Sequence, residues 1–234
     1  MNAPSFPPLM SGQAVAGSED PFDSACMQAA LGCDAGLITY NLAADTLKAA
    51  LIFAPEVPLK QAMAMLPACG LGLQNALGAL APPEVAMHLG WNGNLYLNGG
   101  RCGGLRIAAA TDDASLVPNW LVVGFDLPLW PASEDSGDCP DDTALYAEGC
   151  ADVSASDLLE SWARHTLHWI NRWEDDGPKS LHEDWRGLAH GLGEATHQND
   201  LDGTFLGVDE DFGMLLRDDA TTHLIPLTTL LETP

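Results

Sequence analysis

Between Pro58 and Leu80 the chain carries one charged residue, Lys60. A segment this apolar would expose a large hydrophobic area if it lay in water, so it must be buried. Met63, Leu66, Leu73 and Leu77 predict a largely buried helix, with glycines where something packs closely. A buried helix needs a surface to lie against. The flanking sequence supplies one. "GLITYNL" and "TLKAALIFA" precede the helix, and "EVAMHL", "NLYLN", "GGLRIAAA" and "NWLVVGFDL" follow it. All six are rich in residues that suit a pleated surface. The expected fold class is α+β, a mixed β-sheet with helices on one face.

The rest of the chain divides by composition. "PSFPPLMSGQ" reads as an extended entry segment, and Asp20 followed by Pro21 marks a helix start. Residues 131–153 are polar and acidic and read as an exposed connection or flap. Ser154 with Asp157 caps the next helix, whose Leu158, Trp162, Trp169 and Trp173 form one stripe. A second helix opens with Pro178. From about residue 191 short alternating strands and Asp/Gly/Asn turns take over. This predicts a small SH3-like β-barrel module over 191–234, after an α+β domain over 1–190.

Charge excludes whole classes of partner. The 234 residues include 33 acidic and nine basic side chains, for a net charge of −24. Nucleic acid and anionic membranes both demand clustered Lys and Arg, so neither is an expected partner. ATP would be repelled at long range unless a local basic cluster or a bound cation reversed the field. Before Arg101 the only Lys or Arg residues are Lys48 and Lys60. An acidic surface serves solubility first. The six cysteines form no CxxC pair and are expected to stay reduced, and no signal peptide or bilayer-spanning stretch is expected. The expected location is therefore cytoplasmic.

The chemistry centres on residues 90–108, "GWNGNLYLNGGRCGGLRIA". Arg101 and Arg106, the first two arginines, stand beside a run of glycines. Backbone N–H groups at Gly99, Gly100, Gly103 and Gly104 can form a nest that binds a carboxylate or phosphate next to Arg101. The same residues can also form an ordinary hairpin with a surface arginine paired to a nearby Asp. Cys102 adjoins the cation, which lowers a thiol pKa, yet neighbouring strand residues face opposite ways. If Arg101 faces a pocket, Cys102 does not. His165 and His168, and His182 before Glu183, lack the companions of a metal motif, so no metal site is expected.

The same stretch resembles the central motif of biotin–protein ligases, roughly K-W-P-N-D-L-Y-L-N-G-x-K-x-x-G-I-L-V-E. Trp91, Leu95, Tyr96, Leu97, Asn98, Gly99 and Gly104 match in register. "NWLVVGFDL", "LHEDWRGLAHGLGE" and "GTFLGVDEDFGMLLRD" resemble the family's following strand, late helix and C-terminal module. The resemblance covers most of the chain and points to the biotin/lipoate–protein ligase class. It implies biotin or lipoate and ATP as ligands, an acyl-adenylate intermediate, and a biotinyl or lipoyl carrier domain as partner. It implies Arg101 in the catalytic role, with Trp91, Asn98, Gly99, Gly103, Gly104 and Asp126 at the substrate. Yet the family's Gly/Arg-rich phosphate loop is replaced by "NLAAD", its first motif lysine by Gly90, and its hairpin lysine by Arg101. Its Pro-Asn-Asp becomes Asn92-Gly93-Asn94, its Ser-Thr-Asn becomes Asp20-Pro21-Phe22, and its late Asn becomes Asp126. Two readings follow from the sequence. One is a divergent ligase or acyltransferase acting on a carrier lysine. The other is a binding or scaffold protein that kept the fold and lost adenylation. Acyl transfer through Cys102 is a third.

Overall fold

The computed structural model of the protein describes residues 3–43, 45–131 and 141–232. Seven strands form one mixed sheet: β1 (Ser11–Ala14), β2 (Leu37–Leu42), β3 (Thr46–Phe53), β4 (Met87–Leu89), β5 (Asn94–Leu97), β6 (Gly100–Ala109) and β7 (Leu121–Pro128). Their order across the sheet is β1-β2-β3-β7-β6-β5-β4. β1 runs parallel to β2, and every other neighbour is antiparallel. The extended entry segment thus contributes a strand. Five helices accompany the sheet: α1 (Pro21–Ala30), α2 (Leu59–Ala62), α3 (Met65–Leu80), α4 (Ala155–Asp176) and α5 (Pro178–Leu188).

Strand alternation sends successive side chains to opposite faces. On β3, Leu47, Ala49 and Leu51 join the main core, whereas Ala50 and Ile52 join a second, smaller one. On β7, Val123, Phe125 and Leu127 take the first side and Val122 the second. The nearly uncharged stretch is α2 and α3, with a break at Met63–Ala64, and its four expected core residues are all buried. α3 lies between the sheet and α4. There Trp162 donates Nε1–H to the Cys69 carbonyl at 3.1 Å, and Trp169 donates to Asn75 at 2.8 Å. A Cβ at Gly72 would overlap Thr166, so the glycine allows the two helices to approach. Trp162 is fully buried, and burial of a side chain of this size contributes on the order of 3 kcal/mol.

α1 refines the expected architecture, because it covers the other face of the sheet. Phe22, Ala25, Cys26 and Ala29 pack on Ala50, Ile52, Ala108 and Val122. The expectation of no membrane-spanning stretch also needs adjusting. Residues 59–80 have the length and apolarity of a span, although most of that stretch is buried inside the protein. Likewise the acidic connection is only partly a surface feature. Residues 132–140, including Cys139, lie outside the described residues, but Ala144, Leu145 and Cys150 are fully buried. The other five cysteines are unpaired.

The C-terminal module is a four-stranded antiparallel sheet: β8 (Ala195–Gln198), β9 (Leu201–Val208), β10 (Met214–Arg217) and β11 (Thr222–Ile225). Its order is β11-β10-β9-β8, and among the described residues no pairing closes it into a barrel. Its Phe205, Phe212, Met214, Leu216 and Ile225 join the main core. Trp91 fastens it further by donating Nε1–H to the Phe212 carbonyl at 2.7 Å. A 3₁₀ turn over Leu227–Leu230 follows, and the Glu232 N–H then donates to the Ile107 carbonyl of β6 at 2.8 Å.

β6 contains an irregularity that sets its facing. Pairing with β5 runs Tyr96 to Arg101 and then Asn94 to Gly104, so the register shifts between them. Gly103 sits in the shift with φ +80°, and a Cβ there would overlap the Asp126 carbonyl oxygen. Both the torsion and the contact exclude a side chain. Gly103→Ala is therefore expected to cost about 2–4 kcal/mol, read as a lower urea midpoint. A cost below about 0.5 kcal/mol would show that the bulge relaxes freely.

Candidate functional site

The face of the sheet shared with α1 holds a dense charge cluster, and register explains it. Across β3, β7 and β6, Lys48 stands opposite Asp126, which stands opposite Gly104. In the next row Ala50, Gly124 and Arg106 align. Over these rows lies the start of α1, where the Asp20 carboxylate accepts the Phe22 N–H at 2.8 Å and Pro21 begins the helix. Gly124 makes room for Phe22, whose Cδ2 would be 2.8 Å from a Cβ there. The Arg106 guanidinium carbon lies 4.2 Å from the centroid of the Phe22 ring, a cation–π distance.

The charges are closely interlinked. Lys48 Nζ lies 3.2 Å from Asp20 and 3.5 Å from Asp126. Arg106 Nη1 donates to Asp20 at 3.3 Å, and Nη2 lies 3.6 Å from Asp23. The strongest contact comes from the far end of the sequence. Arg106 Nε donates to both Glu232 carboxylate oxygens at 3.0 and 3.1 Å, and Nη2 donates to Oε2 at 2.8 Å. Bonds to Glu232, and then the nearby aspartates, hold the Arg106 pKa above its ordinary value against the opposing effect of burial. Burial alone would raise the Asp20 carboxyl; the bonds from Lys48 and the Phe22 amide outweigh it and leave the pKa lowered. At Asp126 burial wins over the pull of Lys48, and its pKa is raised.

This arrangement can hold a carboxylate on a guanidinium fork. It is poorly suited to a triphosphate. Two cations, Lys48 and Arg106, meet four carboxylates, Asp20, Asp23, Asp126 and Glu232. Residues 43–45 are all that joins β2 to β3, where a phosphate-wrapping loop would need to be. The residues of this face therefore do not fit a triphosphate.

The sequence-derived residues separate into groups. Gly104 and Asp126 lie in the charged rows, and Gly103 shapes the strand beside them. Trp91 belongs to the core on the opposite face. Asn98 (φ 49°) and Gly99 (φ 96°) form the β5–β6 turn, and the Asn98 side chain bonds Glu148 and the Ala86 amide. Arg101 is 53 % exposed and grips Asp142 through Nε at 2.7 Å and Nη2 at 3.0 Å. Its backbone pairs with the 141–143 segment. Cys102 is fully buried on the other face, as strand alternation anticipates, and burial with the Glu148 charge pushes its thiol up to about 12. It offers no thiolate nucleophile near neutral pH. Among the described residues no three His, Cys, Asp or Glu side chains gather as metal ligands.

Lys48, Asp20, Arg106 and Glu232 carry the cluster, yet none was among the sequence-derived site residues. For Arg106 a signal existed: it lies two residues beyond Gly104 and therefore on the same strand face.

A mixed sheet sandwiched by helices, with a β-module fastened to a W-x-x-x-L-Y-L-N-G hairpin, defines the biotin/lipoate ligase fold class. The chain belongs to the biotin/lipoate A/B protein ligase family, which residues 6–187 match. Residues 192–233 match a domain of unknown function, DUF4444. A biotin–[acetyl-CoA-carboxylase] ligase of Paracoccus denitrificans is 24 % identical over 162 residues, 67 % of each chain. The crystal structure of a biotin protein ligase-like protein of unknown function from Silicibacter is 67 % identical, with a TM-score of 0.94 over 99 % of this chain and 100 % of that one. The biotin protein ligase of Aquifex aeolicus shares the fold at 15 % identity, with a TM-score of 0.73 over 94 % of this chain and 96 % of its own.

Two substitutions separate the roles of the cluster's carboxylates. Asp20→Ala removes a helix cap and two partly exposed ion pairs, for an expected loss of about 2 kcal/mol. Because the Asp20 pKa is lowered on folding, that contribution is present above about pH 4 and fades as pH falls through the folded value. Asp126 has the opposite sign: its raised pKa makes the ionised form a cost at neutral pH, relieved on acidification. Asp126→Asn is therefore expected to stay within about 1 kcal/mol of the parent. Urea midpoints between pH 3 and 7 test both; a greater loss for Asp126→Asn than for Asp20→Ala would reverse the assignment.

Proposed function

We propose that this protein is a ligand-binding member of the biotin/lipoate ligase family that does not carry out ATP-dependent adenylation. It binds a small carboxylic acid on the α1 face of the sheet. The absence of adenylation rests on both described cations of that face being already matched by carboxylates, and the acid on the Arg106 fork, whose Nε and Nη2 hold a carboxylate in the geometry an acid would take. An adenylating site needs positive charge aimed at the phosphates, and removing one such donor costs about 3–4 kcal/mol of transition-state stabilisation. Here the phosphate loop is replaced by a three-residue connection, 43–45. An acid needs less, because one guanidinium fork and an apolar neighbour are enough to hold it.

The retained hairpin motif and the Paracoccus relative support a second reading, a ligase or acyltransferase that passes the acyl group to a carrier-domain lysine. Calorimetry with biotin, lipoate and ATP, separately and together, distinguishes the two. The expected result is heat from an acid, none from millimolar ATP, and no gain when both are present. Acyl-AMP formation, or label transfer to a carrier domain well above background, would establish the second reading in place of the first.

A further inference from the structure

The closest contact to Arg106 is made by Glu232, which is 126 positions away in sequence. Both are partly exposed, the Arg106 side chain at 29 % and Glu232 at 41 %. The Glu232 carboxylate takes the Nε and Nη2 edge of the guanidinium, while Nη1 turns to Asp20 and Phe22 lies against the cationic plane. The carboxylate of Glu232 bonds Arg106. β6 pairs with β5 only as far as Gly104, and the open edge beyond it receives the Glu232 N–H at the Ile107 carbonyl. Just before, Leu227 is buried in the core on the opposite side of the sheet, with Leu230 and Leu231 packed against that core. Residues 227–232 therefore pass round the edge of β6, with the leucines on one side of the sheet and Glu232 on the other.

We infer that Glu232 is a built-in stand-in for the ligand carboxylate: a small carboxylic acid replaces it on Arg106 and releases residue 232 from β6. This rests on the proposed binding of an acid at this face. Exchange of one carboxylate for another keeps the guanidinium neutralised and needs no new charge in the cluster. A dianion is disfavoured, because Asp20, Asp23 and Asp126 remain around the site. The tethered carboxylate acts at an effective concentration in roughly the millimolar range, so it weakens a free competitor. Glu232→Gln keeps the size, removes the charge and should lift that competition.

The test uses the full chain, its Glu232→Gln variant and an Arg106→Met variant, titrated with octanoate, biotin, lipoate and inorganic phosphate at constant ionic strength. Calorimetry reads affinity, and amide exchange by NMR reads the Glu232 N–H. The expected result is that at least one acid binds Glu232→Gln about tenfold more tightly than the parent. Saturating the parent with that acid should deprotect the Glu232 amide. Arg106→Met, folded by circular dichroism, should lose the binding. Acid binding of equal strength in parent and Glu232→Gln overturns the stand-in role and leaves the acid-binding function intact. An unchanged Glu232 amide at saturation does the same, as does phosphate matching the acids. Binding of no acid by either protein overturns both. With ATP added to the same mixtures, acyl-AMP formation with the Glu232→Gln gain preserved overturns only the absence of adenylation.

Discussion

The central strands β3, β7 and β6 have to satisfy two different environments at once, and most of the molecule follows from that requirement. Their α3-facing side carries Leu47, Leu51, Ile107, Val123, Phe125 and Leu127, all buried against helices that contain almost no charge. Strand geometry then forces the alternate residues to the other side. There, among the described residues, α1 is the one helix that covers the sheet, and it is ten residues long. The rows it covers are apolar: Ala50, Ile52, Ala108 and Val122. Beyond its N-terminus the same strands present Lys48, Asp126 and Arg106. A charged site is thus carried on strands fixed by a dry core on the reverse face.

The cluster is a means of positioning more than a source of stability. Its ion pairs are partly open to water, and pairs of that kind contribute at most about 1 kcal/mol each. Their mutual cancellation matters more. In a chain of net charge −24, a naked arginine would attract any anion, and a naked aspartate row would repel acids. With the pairs in place, each cation of the face is neutralised and the surplus of charge is negative. Arg106 gains direction from Asp20 on one edge and from the Phe22 ring beneath. The remaining edge has the planar geometry of a carboxylate partner.

Much of the architecture was legible because it rests on local pattern. The 58–80 stretch with its single charge, the Asp20-Pro21 and Ser154 caps and the tryptophan stripe each encode their own environment. The placement of α1 was not legible, since its amphipathic face says only that it packs, not on which side of the sheet. The site was half legible. Gly104 and Asp126 could be named from a motif, but Arg101 drew attention from Arg106 because it stands where the family has a lysine. The structure pairs Arg101 with Asp142, a residue of the acidic connection. Glu232 was invisible, because no local rule links a carboxylate near one end of the chain to an arginine in a central strand.

The C-terminal module gains a physical meaning from its two attachments to the hairpin region. On the core side Trp91, from the family motif, donates to the Phe212 carbonyl within the module. On the opposite face Glu232, after the module's last turn, bonds Arg106 and the backbone of β6. The β5–β6 hairpin is thus gripped from both sides by one appended unit. Of these grips, the tryptophan bond is buried and directional, so losing it would leave an unsatisfied carbonyl. The glutamate grip is partly exposed to water, which weakens it. The fold therefore places its weakest attachment at the charged site and its strongest behind it.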